Sequence, residues 1–97
     1  MAIAVYFDAE GMTLGQFAES HRRLEEVGAG APAGRVHHSC FGADGELMVY
    51  QVWDSVESFA GFGAVLVPIL TEIGIDPGEP SIMEVHRLEQ TSASQLT

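Results

Sequence analysis

The apolar positions of this chain switch period repeatedly, and each switch predicts an element. Residues 2–8 (AIAVYFD) form a continuous apolar run with β-branched and aromatic members, closed by Asp8 and Gly11. That length and composition predict a central strand buried on both faces. Beyond it, Leu14, Phe17, His21 and Leu24 recur at helical spacing. They predict an amphipathic helix that Thr13 and Gln16 open as a capping box and Gly28 ends as a C′ glycine. GAGAPAG reads as a flexible connector. Residues 35–42 and 47–53 are β-compatible and flank Asp44-Gly45, a hairpin signal for a type I′ turn. Asp54 and Glu57 predict a second capping box. The helix that follows carries Phe59, Phe62, Leu66, Ile69, Leu70 and Ile73 on its buried stripe, with Pro68 inside it and Gly74 closing it. Proline there predicts a bend over the sheet. DPGEP is a turn, and residues 81–89 (SIMEVHRLE) are the last strand.

The order is β-α-β-β-α-β. Right-handed crossovers place the first strand beside the third. The fold class is therefore α+β and ferredoxin-like, a four-stranded antiparallel sheet with two helices on one face. Residues 1–89 make one domain, and 90–97 are a polar tail.

A two-residue loop at Asp44-Gly45 fixes the hairpin ladder as Phe41–Met48, Cys40–Val49, Ser39–Tyr50, His38–Gln51, His37–Val52 and Val36–Trp53. Strand alternation then sorts the side chains. Val36, His38, Cys40, Leu47, Val49, Gln51 and Trp53 share one face, and His37, Ser39, Phe41, Met48, Tyr50 and Val52 the other. Both sets contain large apolar groups. The helices cover one face only, so the second predicts a homodimer packed sheet against sheet.

The formal charge is −10, with no lysine and four arginines. Such a chain repels phosphate, which argues against nucleic acid and against an anionic membrane surface. A single cysteine, Cys40, excludes an internal disulfide and fits a reducing cytoplasm. The N-terminus lacks the basic region of a signal peptide, and no uninterrupted apolar run reaches the length of a membrane span.

Four histidines are the candidate chemistry. His37 and His38 point to opposite faces and cannot share a metal without a bulge. His38 and Cys40 share a face but lack the ligand spacing of a zinc site, so no metal is expected. Cys40 reads as a small buried hydrophobe. With His38, Gln51 and Trp53 toward the helices, His38 meets His21 on the first helix. Two imidazoles and an amide in apolar walls are the usual look of a small-molecule site. Burial keeps such histidines neutral and suits them to proton transfer. The expected working groups are His38 as the base, with His21 and Gln51. Trp53, His86, Phe17 and Phe62 are expected to line the substrate.

The stretches VYFDAEGMT, GAGAPAGRVHH, VYQVWDSVESFAGFG and PILTEIGIDPGEP resemble the dimeric α+β barrel superfamily, the antibiotic-biosynthesis-monooxygenase-like domains among them, and more narrowly its small actinobacterial members. They cover most of residues 5–80. The resemblance implies a cavity between the sheet and its helices. It implies no single chemistry, because the superfamily holds cofactor-free oxygenases, haem-degrading enzymes, isomerases and members without known activity. The haem-degrading triad needs an asparagine, and this chain has none. Two expectations follow: a cofactor-free monooxygenase- or isomerase-like enzyme acting on an apolar, aromatic compound, or a non-catalytic ligand-binding or structural dimerisation module.

Overall fold

The computed structural model describes residues 1–9, 11–76 and 78–89. The tail expected over 90–97 lies outside the described residues. The elements are β1 (Ile3–Asp8), α1 (Leu14–Glu26), β2 (Arg35–Phe41), β3 (Met48–Trp53), α2 (Val56–Ile73) and β4 (Ser81–Glu84). The sheet order is β2-β3-β1-β4, and every neighbouring pair is antiparallel. This is the expected ferredoxin-like arrangement.

Thr13 caps α1 as the sequence predicts: its Oγ1 accepts from the Gln16 amide at 3.1 Å, and the Gln16 side chain accepts from the Thr13 amide at 3.0 Å. A third N-terminal donor of α1, the Leu14 amide, is satisfied by Asp44 Oδ1 at 2.8 Å. The β2–β3 loop therefore anchors the helix start. Leu14, expected on the buried stripe, is 56% exposed in this first turn. Asp44 keeps a negative φ and only Gly45 is positive, which rules out the type I′ turn. The second capping box is replaced by Ser55, whose hydroxyl accepts from the Ser58 amide at 3.1 Å. Pro68 lies within α2 without ending it.

The connector before β2 is pinned, against expectation. Gly34 has φ +89° and its carbonyl accepts from the Asp54 amide at 2.8 Å. A Cβ there would stand 2.6 Å from Ser58 Oγ and 2.7 Å from Asp54 Oδ1. β4 ends at Glu84, short of the expected residue 89.

The hairpin ladder runs as predicted from Phe41–Met48 to His37–Val52 and then breaks. Arg35, not Val36, stands opposite Trp53. Val36 is the extra residue of a β-bulge. The bulge turns Val36 out to solvent, 44% exposed, and turns Arg35 toward the helices.

α2 is long and apolar enough, by length and composition, to cross a membrane, which corrects the expectation drawn from uninterrupted runs alone. Its polar members Glu57, Ser58, Thr71 and Glu72 sit near the ends and leave the stretch between them apolar. In the fold, Phe59, Phe62, Leu66, Ile69 and Leu70 of this helix pack against the sheet. The core forms two clusters. One gathers Met12, Leu47, Val49, Leu70 and Ile75. The other gathers Ile3, Val5, Leu24, Trp53 and Phe62. Phe7 and Leu66 touch both.

Candidate functional site

Where the two clusters meet, between the sheet and its helices, they leave a cavity. Its volume is about 60 Å³. That is several times the ~10–15 Å³ one water needs. Its walls are apolar: Phe7 and Val49 from the sheet, Met12 before α1, Phe17 and Leu24 from α1, Phe62, Leu66 and Leu70 from α2. The polar groups in the lining are Ser20, His21, Arg35, His38 and Gln51. Ser20 is spent locally, its hydroxyl donating to the Phe17 carbonyl at 2.7 Å.

His38 sits on β2 opposite Gln51 of β3, both facing inward. The Trp53 indole N–H donates to Gln51 Oε1 at 2.9 Å, and Gln51 Nε2 lies 2.9 Å from His38 Nδ1. All three side chains share a face because they alternate along paired strands. Gln51 is 2% exposed, so this chain of bonds is sheltered from water. The other ring nitrogen, His38 Nε2, is buried with no protein partner.

His21 comes from α1. Its ring lies 5.4 Å from that of His38 and 4.5 Å from Phe17, centroid to centroid. Phe17 also stacks on His38 at 6.1 Å with a 9° interplanar angle. Burial, then the nearby Arg35 charge, then His21 and His37, lower the His38 pKa to about 4. Burial and Arg35 lower that of His21 too, against a smaller opposing pull from Glu25. Both imidazoles are thus biased to the neutral form at pH 7.

Arg35 donates to the Gly30 carbonyl at 3.2 Å, and its guanidinium carbon lies 5.7 Å from the centre of the Phe62 ring. Arg22, Arg23 and Arg87 all pair with glutamates, whereas Arg35 has no carboxylate partner among the described residues. Burial lowers its pKa.

The structure thus brings His38, His21, Gln51, Phe17 and Phe62 to one cavity. Trp53 stands behind it, fully buried against Phe59 and Phe62, and reaches it through Gln51. His86 is not brought in: it lies past the end of β4, exposed, at the sheet edge opposite β2. Arg35 is the lining residue that strand alternation misses, because the bulge decides its face. The available signal was composition: one of only four arginines stands at a strand start in a chain without lysine. Cys40 is half-buried against the first core cluster, and burial raises its thiol pKa. Among the described residues no three histidine, cysteine or acidic side chains stand close enough to hold a metal.

No family model and no curated protein matches the chain. Solved structures do. SnoaB, a cofactor-independent oxygenase from Streptomyces nogalater, superposes with a TM-score of 0.62 at 16% identity, over 90% of this chain and 94% of that one. An antibiotic-biosynthesis-monooxygenase-like protein from Chloroflexus aurantiacus gives 0.64 at 12% identity, over 93% and 98%. Rv0793 from Mycobacterium tuberculosis gives 0.54 at 14%, over 95% and 100%. At these identities the likeness is one of fold: this chain has the ferredoxin-like fold of the antibiotic-biosynthesis-monooxygenase-like proteins.

Proposed function

We propose that the protein is a homodimeric, cofactor-independent enzyme of monooxygenase or isomerase type that takes an apolar, aromatic substrate into this cavity. On the stretches quoted above, we assign it to the small actinobacterial members of its superfamily, working in the cytoplasm. The observation that carries the reading is the convergence of two neutral-biased imidazoles on one apolar cavity. A neutral imidazole in a dry site can accept a proton from a C–H acidified by a neighbouring carbonyl or phenol. For an isomerase, the proton returns at another carbon. For an oxygenase, the carbanion gives O2 an electron and recombines with it, forming one C–O bond. The peroxide takes up the proton and then loses water. Overall a CH2 group and O2 become C=O and water, and the substrate supplies every electron, so no cofactor is required.

The dimer rests on the other sheet face. Tyr6, Met48, Tyr50, Phe41 and Met83 lie there, the last two 44% and 56% exposed. A second copy covers such a face without help from any further element.

The test is turnover of a small apolar CH2 acid, 2-tetralone, followed by O2 uptake and by exchange of its acidic protons for deuterium. Wild type accelerates one of the two. His21→Ala and His38→Ala each lower the rate by about 10²-fold or more, with the dimer intact by sedimentation. Rates unchanged in both variants would overturn the reading. Native mass spectrometry showing a copurified apolar compound, with neither O2 uptake nor exchange, would reassign the cavity to binding without turnover.

A further inference from the structure

The bond chain through Trp53, Gln51 and His38 has a direction. An indole N–H only donates, so the amide oxygen of Gln51 must face Trp53. The Gln51 NH2 must then face His38, and Nδ1 of His38 must accept. A neutral imidazole with an accepting Nδ1 carries its proton on Nε2. That Nε2–H is the buried atom to which no protein acceptor reaches. A buried donor left over in an otherwise satisfied network calls for an acceptor from outside the chain. The second unmatched group is Arg35, the guanidinium that the bulge at Val36 turns inward and that no described carboxylate neutralises. Its charge is felt at both imidazoles. A cation and a fixed N–H donor in an apolar cavity, with no acidic side chain in the lining, are matched to negative charge on oxygen.

We propose that the cavity is a receptor for an apolar organic anion, a carboxylate, phenolate or enolate whose oxygen is held by His38 Nε2–H and Arg35, with Gln51 as the positioning residue that fixes His38 as a donor. The proposal rests on the small-molecule reading of the same cavity and divides its labour. His38 holds the oxygen. The opposite tautomer, with a basic Nε2, would set its Nδ1–H against the Gln51 NH2. His21, which makes no such bond, is the imidazole free to take up a proton.

The decisive measurement on wild type is the ¹⁵N spectrum of the His38 ring, which separates a protonated from an unprotonated nitrogen. The expected result is a protonated Nε2 and an unprotonated Nδ1 at neutral pH. The reverse assignment overturns the proposal. Gln51→Glu, at a pH where the new carboxyl is ionised, supplies a group that can only accept, so Nδ1 becomes protonated; a merely structural role for Gln51 would leave Nδ1 unprotonated.

Ligand class is read by calorimetry with benzoate, 4-nitrophenol, and the neutral benzamide and toluene. Benzoate is expected to bind at least tenfold tighter than benzamide. 4-Nitrophenol is expected to bind as its yellow phenolate below the pH at which it ionises in water. Arg35→Met and His38→Phe should each weaken benzoate at least tenfold relative to toluene. Benzoate favoured without any phenolate signal narrows the ligand to carboxylates, and the converse to phenolates and enolates. Benzamide or toluene binding as tightly as benzoate, indifferent to Arg35→Met, overturns this proposal and leaves the apolar-cavity reading standing. Binding of none of the four overturns both.

Discussion

Two consecutive histidines of β2 live in different solvents. His38 faces the helices, half-buried, bonded to Gln51, with its pKa lowered to about 4. His37 faces away, its Nε2 3.2 Å from Ser39 Oγ, with the Tyr50 ring 5.7 Å from its own. One pleat separates them, yet they belong to different problems. The inner face hides polar groups and must satisfy each one. The outer face shows apolar groups and must find them a cover. One strand answers both because its side chains alternate, so each face is composed independently of the other.

The sharpest way to break this contrast is to exchange the faces' tolerance to substitution. Trp53→Ala on the inner face should cost about 3–5 kcal/mol, from the lost packing against Phe59 and Phe62 and from the orphaned Gln51 carbonyl. Urea unfolding measures it. Tyr50→Asp, three residues earlier in β3 and on the outer face, should leave the subunit folded by circular dichroism and split the proposed pair in sedimentation. A Tyr50→Asp subunit that unfolds while still alone would mean the outer face is core in its own right.

A smaller effect tests the inner histidine by pH. The folded pKa of His38 is depressed below the ordinary 6.5. Between about pH 6.5 and 4 the unfolded chain therefore binds the proton that the folded chain refuses, and stability falls as the pH drops through that window. The groups facing His38 are His21 across the cavity, Gln51 beside it on β3 and Arg35 on its own strand, with no carboxylate in the lining to offset them. Discounted for the part of the ring nearer solvent, the loss is about 1–2 kcal/mol. His38→Gln should flatten the slope of melting temperature against pH across this window. Equal slopes in wild type and His38→Gln would show that the inner imidazole is not the group being charged.

Much of this division is legible in the sequence, and where it fails the failure has a cause. The ladder from Phe41–Met48 to His37–Val52 follows from Asp44-Gly45, because a short loop sets the register and alternation does the rest. That places His38, Gln51 and Trp53 together, and His21 follows from helical spacing. The bulge is invisible to the same reasoning. It lies next to Gly34, whose carbonyl accepts from the Asp54 amide just before α2, a contact between segments twenty residues apart in the chain. One extra residue sends Val36 out and Arg35 in, so the cation of the site is missed. His86 is misplaced for a related reason. Strand propensity carries the reading through residue 89, but β4 pairs with β1 only as far as Glu84 opposite Ile3. The choice of Ser55 over Asp54 as cap is a shift of one residue, the scale at which helix starts are hard to read.

The smallest predicted effect tests what covers the outer face. Tyr6 on β1 donates its hydroxyl to the Met48 sulfur of β3 at 2.9 Å, and both side chains are half-buried in a single subunit. Thioether sulfur is a weak acceptor, and a half-exposed hydroxyl can turn to water instead. Tyr6→Phe should thus change unfolding free energy by no more than about 0.5 kcal/mol, with the pair intact in sedimentation. In the proposed dimer, a second sheet packed over this face would remove that water. If its contact at Tyr6 is apolar, the phenylalanine is accommodated and the pair tightens slightly. If a polar group of the second copy meets the hydroxyl, the same change loosens the pair by tenfold or more while the lone subunit's stability stays put. The direction of this one shift therefore distinguishes a dry interface, the natural partner of an apolar sheet face, from one stitched by hydrogen bonds.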